Sequence, residues 1–193
     1  MPDRCLPLLR EQRTHYQNHA AEYGTELHRT FDSFSHLLPL IAENVLDIGC
    51  GMAGIDVLLG NHFPHADLWL LDKDGTSQTI NCGFNERADD FAHYHDFIGA
   101  FELLSANGID LNRVRPVDIG SAEFPERDFD VVISLLSWGF HYPIDTYAPI
   151  VRPGGVIIAD IRKNTNGLHK LQKYGRISVV HDARKYHRVV VAC

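Results

Sequence analysis

Between Asn44 and Val57 the chain reads NVLDIGCGMAGIDV, a stretch that few folds can accommodate. A short apolar strand through Val45 and Leu46 runs into Asp47. The backbone then turns through Gly49 and Gly51, and a helix starts near Gly54. Glycines at such a turn let the main chain approach a ligand closely, and the first free amides of the following helix face it. This arrangement suits a nucleotide-like small molecule.

The rest of the chain reads as alternating strands and helices. Residues 1–20 form an arm or short helix. Leu27, Phe31, Phe34, Leu37, Leu38 and Ile41 recur at spacings of three and four, which predicts a helix over 25–42. Strands are expected at 44–48, 66–71, 114–117, 129–135 and 156–160, the second being an almost continuous apolar run that fits burial on both faces. Pro116 places the third strand near an edge. Helices are expected at 54–61, where Pro64 prevents continuation, at 97–106, where Asn107-Gly108 is a natural stop, and at 167–174. The segment 138–149 reads as a loop with a short helix, and Pro153-Gly154-Gly155 as a turn. Two last strands, 177–181 and 187–192, are joined too closely for a helical crossover and must pair as a hairpin. The fold class is therefore α/β, with a mostly parallel seven-stranded sheet and one antiparallel strand near the C-terminus. Residues 1–43 are expected to form a helical segment that packs on or caps the site, and 44–193 the domain that carries it.

Composition narrows the partners. The 193 residues carry a formal net charge of -7, with 45% hydrophobic and 22% charged residues. That balance disfavours nucleic acid and anionic membrane and favours a small molecule. No apolar run approaches the length of a membrane span, and the first residues lack a signal-peptide core. Cys5, Cys50, Cys82 and Cys193 form no CxxC pair, so reduced thiols and a cytoplasmic location are expected. A homodimer stays open.

In a parallel sheet, ligands bind beyond the carboxyl ends of the strands, here Asp47, Asp72, Asp118, Ser134 and Asp160. Asp72 follows the glycine turn by about 20 residues, where an acidic side chain accepts hydrogen bonds from a ribose diol. Gly49, Gly51 and Gly54 fit the spacing of a dinucleotide loop. Asp47, however, would add negative charge beside a pyrophosphate, whereas an ammonium and a sulfonium tolerate it.

Four segments together carry a family resemblance. NVLDIGCGMAG resembles the first motif of class I S-adenosylmethionine-dependent methyltransferases, and LWLLD their second. VDIGSAEFPERDFDVVISLLSWGFHYP resembles the adenine-side loop and fourth strand, and VRPGGVIIADI the turn and fifth strand. The resemblance covers 44–193 and implies a small single-domain member with a Rossmann-like methyltransferase fold and S-adenosyl-L-methionine as cofactor. It also implies that Asp47, Gly49, Cys50 and Gly51 border the methionine end. Asp72, with Lys73 beside it, would hold the ribose. Asp118 and Ile119 would lie by the adenine, and Ser134 and Leu135 would line the reaction end. Ala53 stands where the family often has glycine.

Methyl transfer asks the protein to align donor and acceptor and to remove an acceptor proton where one is present. Ser137 to Pro143 follow the fourth strand, so His141 is the candidate general base and Tyr142 the candidate group that orients the acceptor. Trp138 and Phe140 would wall the pocket. The segment SLLSWGF departs from the Asn/Asp-Pro-Pro-aromatic pattern of nucleic-acid adenine methyltransferases. Arg113 and Arg115 are too few for a nucleic-acid module. Asp160 and Asn164 could offer oxygens to a metal, but Ser134 stands where a third acidic residue would be needed, so no metal is expected. A zinc set from His93, His95 and His141 has no further support. The long stretch 73–96, with Phe84, Asn85, His93 and Tyr94, is the candidate lid or acceptor pocket together with the N-terminal helix. The expected activity is transfer of a methyl group to oxygen or nitrogen of a small-molecule acceptor. An RNA or protein methyltransferase and a non-catalytic cofactor-binding protein are the alternatives.

Overall fold

Strand β1 (Asn44–Ile48) is buried along its whole length and pairs in parallel with β2 (Asp67–Asp72) on one side and β4 (Asp128–Ser134) on the other. The computed structural model describes residues 1–3, 5–12, 17–73, 96–120, 123–140 and 142–193. Beyond β2 lies β3 (Val114–Asp118) at the sheet edge, where Pro116 costs no ladder hydrogen bond on the open side. Beyond β4 come β5 (Ile150–Arg162), β7 (Tyr186–Ala192) and β6 (Arg176–Asp182). The order is β3-β2-β1-β4-β5-β7-β6, and only β7 runs against its neighbours, as the hairpin expectation requires. The chain works outward from β1 to β3, then returns to lay β4 beside β1. This reversal opens a crevice at the carboxyl ends of β1 and β4.

The two sheet faces are covered differently. On one face α2 (His19–Asp32), α3 (Gly54–His62) and α4 (Phe97–Ala106) pack against Val45, Leu68, Leu70, Val131, Ile133, Ile158 and Val190. Helix α1 (Cys5–Gln12) adds Cys5 and Leu9 to a small cluster with Tyr23, Met52 and Leu103. The opposite face holds, among the described residues, only the short α5 (Gly167–Leu171). Connecting segments fill that face instead: Trp138, Tyr142 and Ile144 are buried against Leu46, Ile48, Val132, Ile157 and Ile161.

Several elements differ from the sequence expectation. The helix expected at 25–42 starts at His19 and ends at Asp32. Its start is set by Asn18, whose side chain accepts from the Ala21 amide, while Glu22 accepts from the amides of Gln17 and Asn18 at 2.7 Å each. Its end is set downstream: Pro39 disfavours a helical Leu38, which is extended (ψ 150°), and only a 3-10 turn at Ser35–Leu37 follows the helix. Phe34 is buried as the spacing predicts, but Leu40 is fully exposed and Ile41 80% exposed. The second difference is at Pro153-Gly154-Gly155, an irregularity within β5. There Phe129 to Val131 on β4 is matched by Val151 to Val156. Gly154 takes φ +85°, and its amide donates to the Cys193 carbonyl at 2.8 Å. The segment after β4 forms turns and no helix among the described residues.

Helix α3 ends without a glycine cap, and a side chain from elsewhere takes its place. Arg113 donates to the carbonyls of Gly60, Phe63 and Ala66 at 2.7, 3.2 and 2.9 Å, satisfying acceptors that the helix and its exit turn leave open. Arg113→Ala is expected to lower unfolding free energy by about 2 kcal/mol. Urea titration should show a lower midpoint at an unchanged slope.

Candidate functional site

The chain leaves β1 through residues with left-handed backbone: Gly49 at φ +79°, Gly51 at +55° and Ala53 at +56°. The amides of Gly49 and Cys50 both donate to the Leu71 carbonyl, at 2.7 and 3.2 Å, which ties the turn to the end of β2. Gly49 is required by space as well as by φ. A Cβ there would sit 2.2 Å from Ser137 Cβ and 3.0 Å from Tyr142 Cε2. Ala53 adopts its left-handed conformation at the N-cap of α3, a strain of order 1 kcal/mol that glycine would not carry. Gly54 is equally close-packed: a Cβ there would lie 2.3 Å from the Tyr23 hydroxyl. Helix α2 thus rests on the start of α3, beside the turn.

Asp72 ends β2 facing this turn and is 5% exposed. Its Oδ2 accepts from the Gly51 amide at 2.8 Å. Its Oδ1 accepts from the Lys73 amide at 2.8 Å and from the Tyr142 hydroxyl at 2.5 Å. The phenol is buried and beside a carboxylate, and both effects, burial first, hold its proton well above the usual phenol range.

A pair of carboxyl groups lies under the same turn. Asp47 projects from β1, and Asp56 from the first turn of α3; they are 3% and 1% exposed. The two side chains meet in a hydrogen bond to each other, and the Asp56 carboxylate also accepts from its own backbone amide. Burial raises both: Asp47 goes well above the usual carboxylate range, helped by Asp56 and then Asp72, and Asp56 is pushed up to about 7. Burial, together with Asp72, Asp47 and Asp56, also raises the Cys50 thiol well above its ordinary range. The turn therefore has carboxyl groups on two sides, Asp72 on one and the Asp47–Asp56 pair on the other.

The other expected residues gather around this centre. Ser134 is fully buried; its hydroxyl donates to the Ile48 carbonyl at 2.6 Å and accepts from the Trp138 amide at 2.7 Å. Leu135 is half-buried against the helical side of the core. Ser137 donates to the Gly49 carbonyl at 3.2 Å. At the neighbouring strand end, Asp118 accepts from the Gly120 amide at 2.9 Å, and the Ile119 amide donates to the Asp72 carbonyl at 3.0 Å. Asp118 therefore caps its own turn as well as standing beside Asp72. Asp160 is drawn away from any ligand role by Arg188, which binds it through two hydrogen bonds of 2.8 and 3.0 Å inside the core. His141 lies outside the described residues, as do Phe84, Asn85, His93, Tyr94 and His95.

Sequence reasoning passed over Asp56 and Ser137. Asp56 carried a usable signal: it is the one charged residue in the otherwise apolar start of α3, GIDVLLG. Ser137 carried none, because its importance comes from the empty space above Gly49.

Comparison with known proteins places these observations. No family model matches the sequence, and no curated protein matches it. Solved structures do match in fold. A precorrin-6y C5,15-methyltransferase from Geobacter metallireducens superposes with a TM-score of 0.53 at 15% identity, covering 86% of each chain. A candidate O-methyltransferase from Nostoc punctiforme gives 0.56 at 11% identity, over 88% of this chain and 56% of its own. The 16S rRNA N2 G1207 methyltransferase of T. thermophilus, solved with AdoMet and guanosine, gives 0.56 at 16% identity, over 88% and 42%. The fold is that of class I S-adenosylmethionine-dependent methyltransferases. The chain spans about half the length of the Nostoc and T. thermophilus proteins. Among the described residues, no helix is long and apolar enough to cross a membrane.

The raised carboxyl pair makes stability depend on pH. Between the ordinary carboxylate range and about pH 7 the folded chain keeps protons that the unfolded chain has released, so this pair's contribution falls as pH rises through that window. Asp56→Asn keeps a partner for Asp47 and removes the second ionisation. It is expected to flatten the decline and to be more stable than the parent by over about 1 kcal/mol at pH 8. Urea unfolding from pH 5 to pH 8 measures this.

Proposed function

We propose that this protein is an S-adenosylmethionine-dependent methyltransferase that transfers a methyl group to oxygen or nitrogen of a small molecule. The observation that carries this reading is the Asp72 carboxylate at the end of β2, held beside the strand-order reversal on the Gly51 amide and already accepting a hydroxyl at 2.5 Å. A ribose diol asks for such an acceptor. The carboxyl groups under the turn fit the same cofactor, because its cationic methionine end would favour their ionised forms, whereas a dinucleotide would bring a pyrophosphate.

In this reading Asp47, Asp56 and the Gly49–Gly51 backbone hold the cationic end, and Asp72 with Lys73 holds the ribose. Asp118 and Ile119 flank the adenine. Ser134 and Leu135 shape the reaction end, and Ser134 also fixes the Trp138 amide that begins the acceptor side. The bound cofactor supplies an activated methyl on a good leaving group. The chain's part is to align the acceptor, exclude water and take the acceptor's proton, with His141 as the proposed base. Residues 1–43 act as a cap, with α2 seated on the start of α3. The net charge of -7 supports a small acceptor over RNA.

Calorimetric titration with S-adenosylmethionine, S-adenosylhomocysteine and NAD tests the assignment. The first two should bind and NAD should not, and Asp72→Ala should weaken binding at least tenfold. Binding of NAD alone, or unchanged affinity in Asp72→Ala, would overturn it. Binding of none would favour a non-catalytic protein on the same fold.

A further inference from the structure

Tyr142 stands where the reading above calls for a ligand. Its hydroxyl is 2.5 Å from Asp72 Oδ1, and its ring edge closes the space above Gly49. The residue is 2% exposed. Its backbone is bound on both sides: the Tyr142 amide donates to the Ser137 carbonyl at 3.1 Å, and the Gly139 amide donates to the Tyr142 carbonyl at 2.7 Å. The ring also meets Tyr147 edge-on at 5.2 Å. Just upstream, Leu136 holds a left-handed backbone at φ +60° and is 39% exposed. A leucine in that conformation is strained, so the segment carrying Tyr142 leaves β4 through a turn that resists its own geometry.

We propose that Tyr142 is an internal competitor for the ribose of the cofactor, its phenol taking on Asp72 the position that a ribose hydroxyl takes in the bound state. The proposal rests on the cofactor assignment above. Binding is then an exchange of one hydroxyl for another on the same carboxylate, while the Gly51 and Lys73 amides stay in place. Two consequences follow from the chemistry. The carboxylate is never left bare in the free protein, which a buried anion requires. The ligand gains less than it would on a vacant acceptor, because it must first displace a charge-assisted hydrogen bond. Affinity for the free cofactor is accordingly modest, and its ribose hydroxyls add less to it than they would on a vacant acceptor.

The test compares the parent with Tyr142→Phe, using S-adenosylhomocysteine as the probe. Tyr142→Phe keeps the ring and removes the competing donor, so it should bind at least fivefold tighter, with the gain in the association rate. In uniformly 13C-labelled parent protein the Tyr142 Cζ resonance should shift when the probe saturates. This second readout needs no variant and stands even where Tyr142→Phe folds poorly. If the parent binds the probe while Tyr142→Phe binds equally or more weakly, or while the Tyr142 resonance stays unmoved at saturation, the competition is wrong and the cofactor assignment survives. If neither protein binds S-adenosylhomocysteine or S-adenosylmethionine, the assignment itself falls and the competition with it.

Discussion

A carboxylate withdrawn from water must be met by hydrogen-bond donors, and Asp72 draws them from separate parts of the chain. One is the Gly51 amide in the turn after β1, one is the Lys73 amide beyond β2, and one is the Tyr142 hydroxyl from the connection after β4. Each would be costly to lose while the others stayed buried. The ends of three neighbouring strands are thereby held in mutual register at the crevice. The turn after β1 could not lie so close to β4 without Gly49, and Ser137 and Tyr142 pack into the space that the missing side chain leaves.

The helices and the site divide the labour unevenly. Helices α2, α3 and α4 bury one sheet face and set the start of α3. The other face depends on Trp138, Tyr142 and Ile144, which reach the core from a segment without regular structure. Ser134 couples the two tasks, since one hydroxyl links the end of β1 to the Trp138 amide.

Local signals made much of this legible in the sequence. The glycine turn, the apolar β2 and the short link between the last strands each follow from a rule acting over a few residues, and together they determine the strand directions. Pro116 correctly marked an edge strand. The errors came where two local signals competed. Apolar spacing extended α2 through residues that Pro39 in fact forces out of the helix. A Pro-Gly-Gly signature that usually means a turn became a distortion of β5 because Cys193 pairs with it. The contacts that define the site were hidden for another reason. Tyr142 and Asp72 are 70 positions apart, and no periodicity in either segment announces the other. The pairing of Asp47 with Asp56 likewise exists only once α3 lies over β1.

Coverage of one face by an irregular segment bears on how such a protein can diverge. A pocket built on loops outside a self-sufficient core can exchange side chains at little cost to folding. Here Trp138 and Ile144 belong to the core themselves and are fully buried, so a lineage reshaping this face would meet the stability threshold early. Its tolerated variation should collect at outward-facing positions such as Leu136, leaving the aromatic wall nearly frozen.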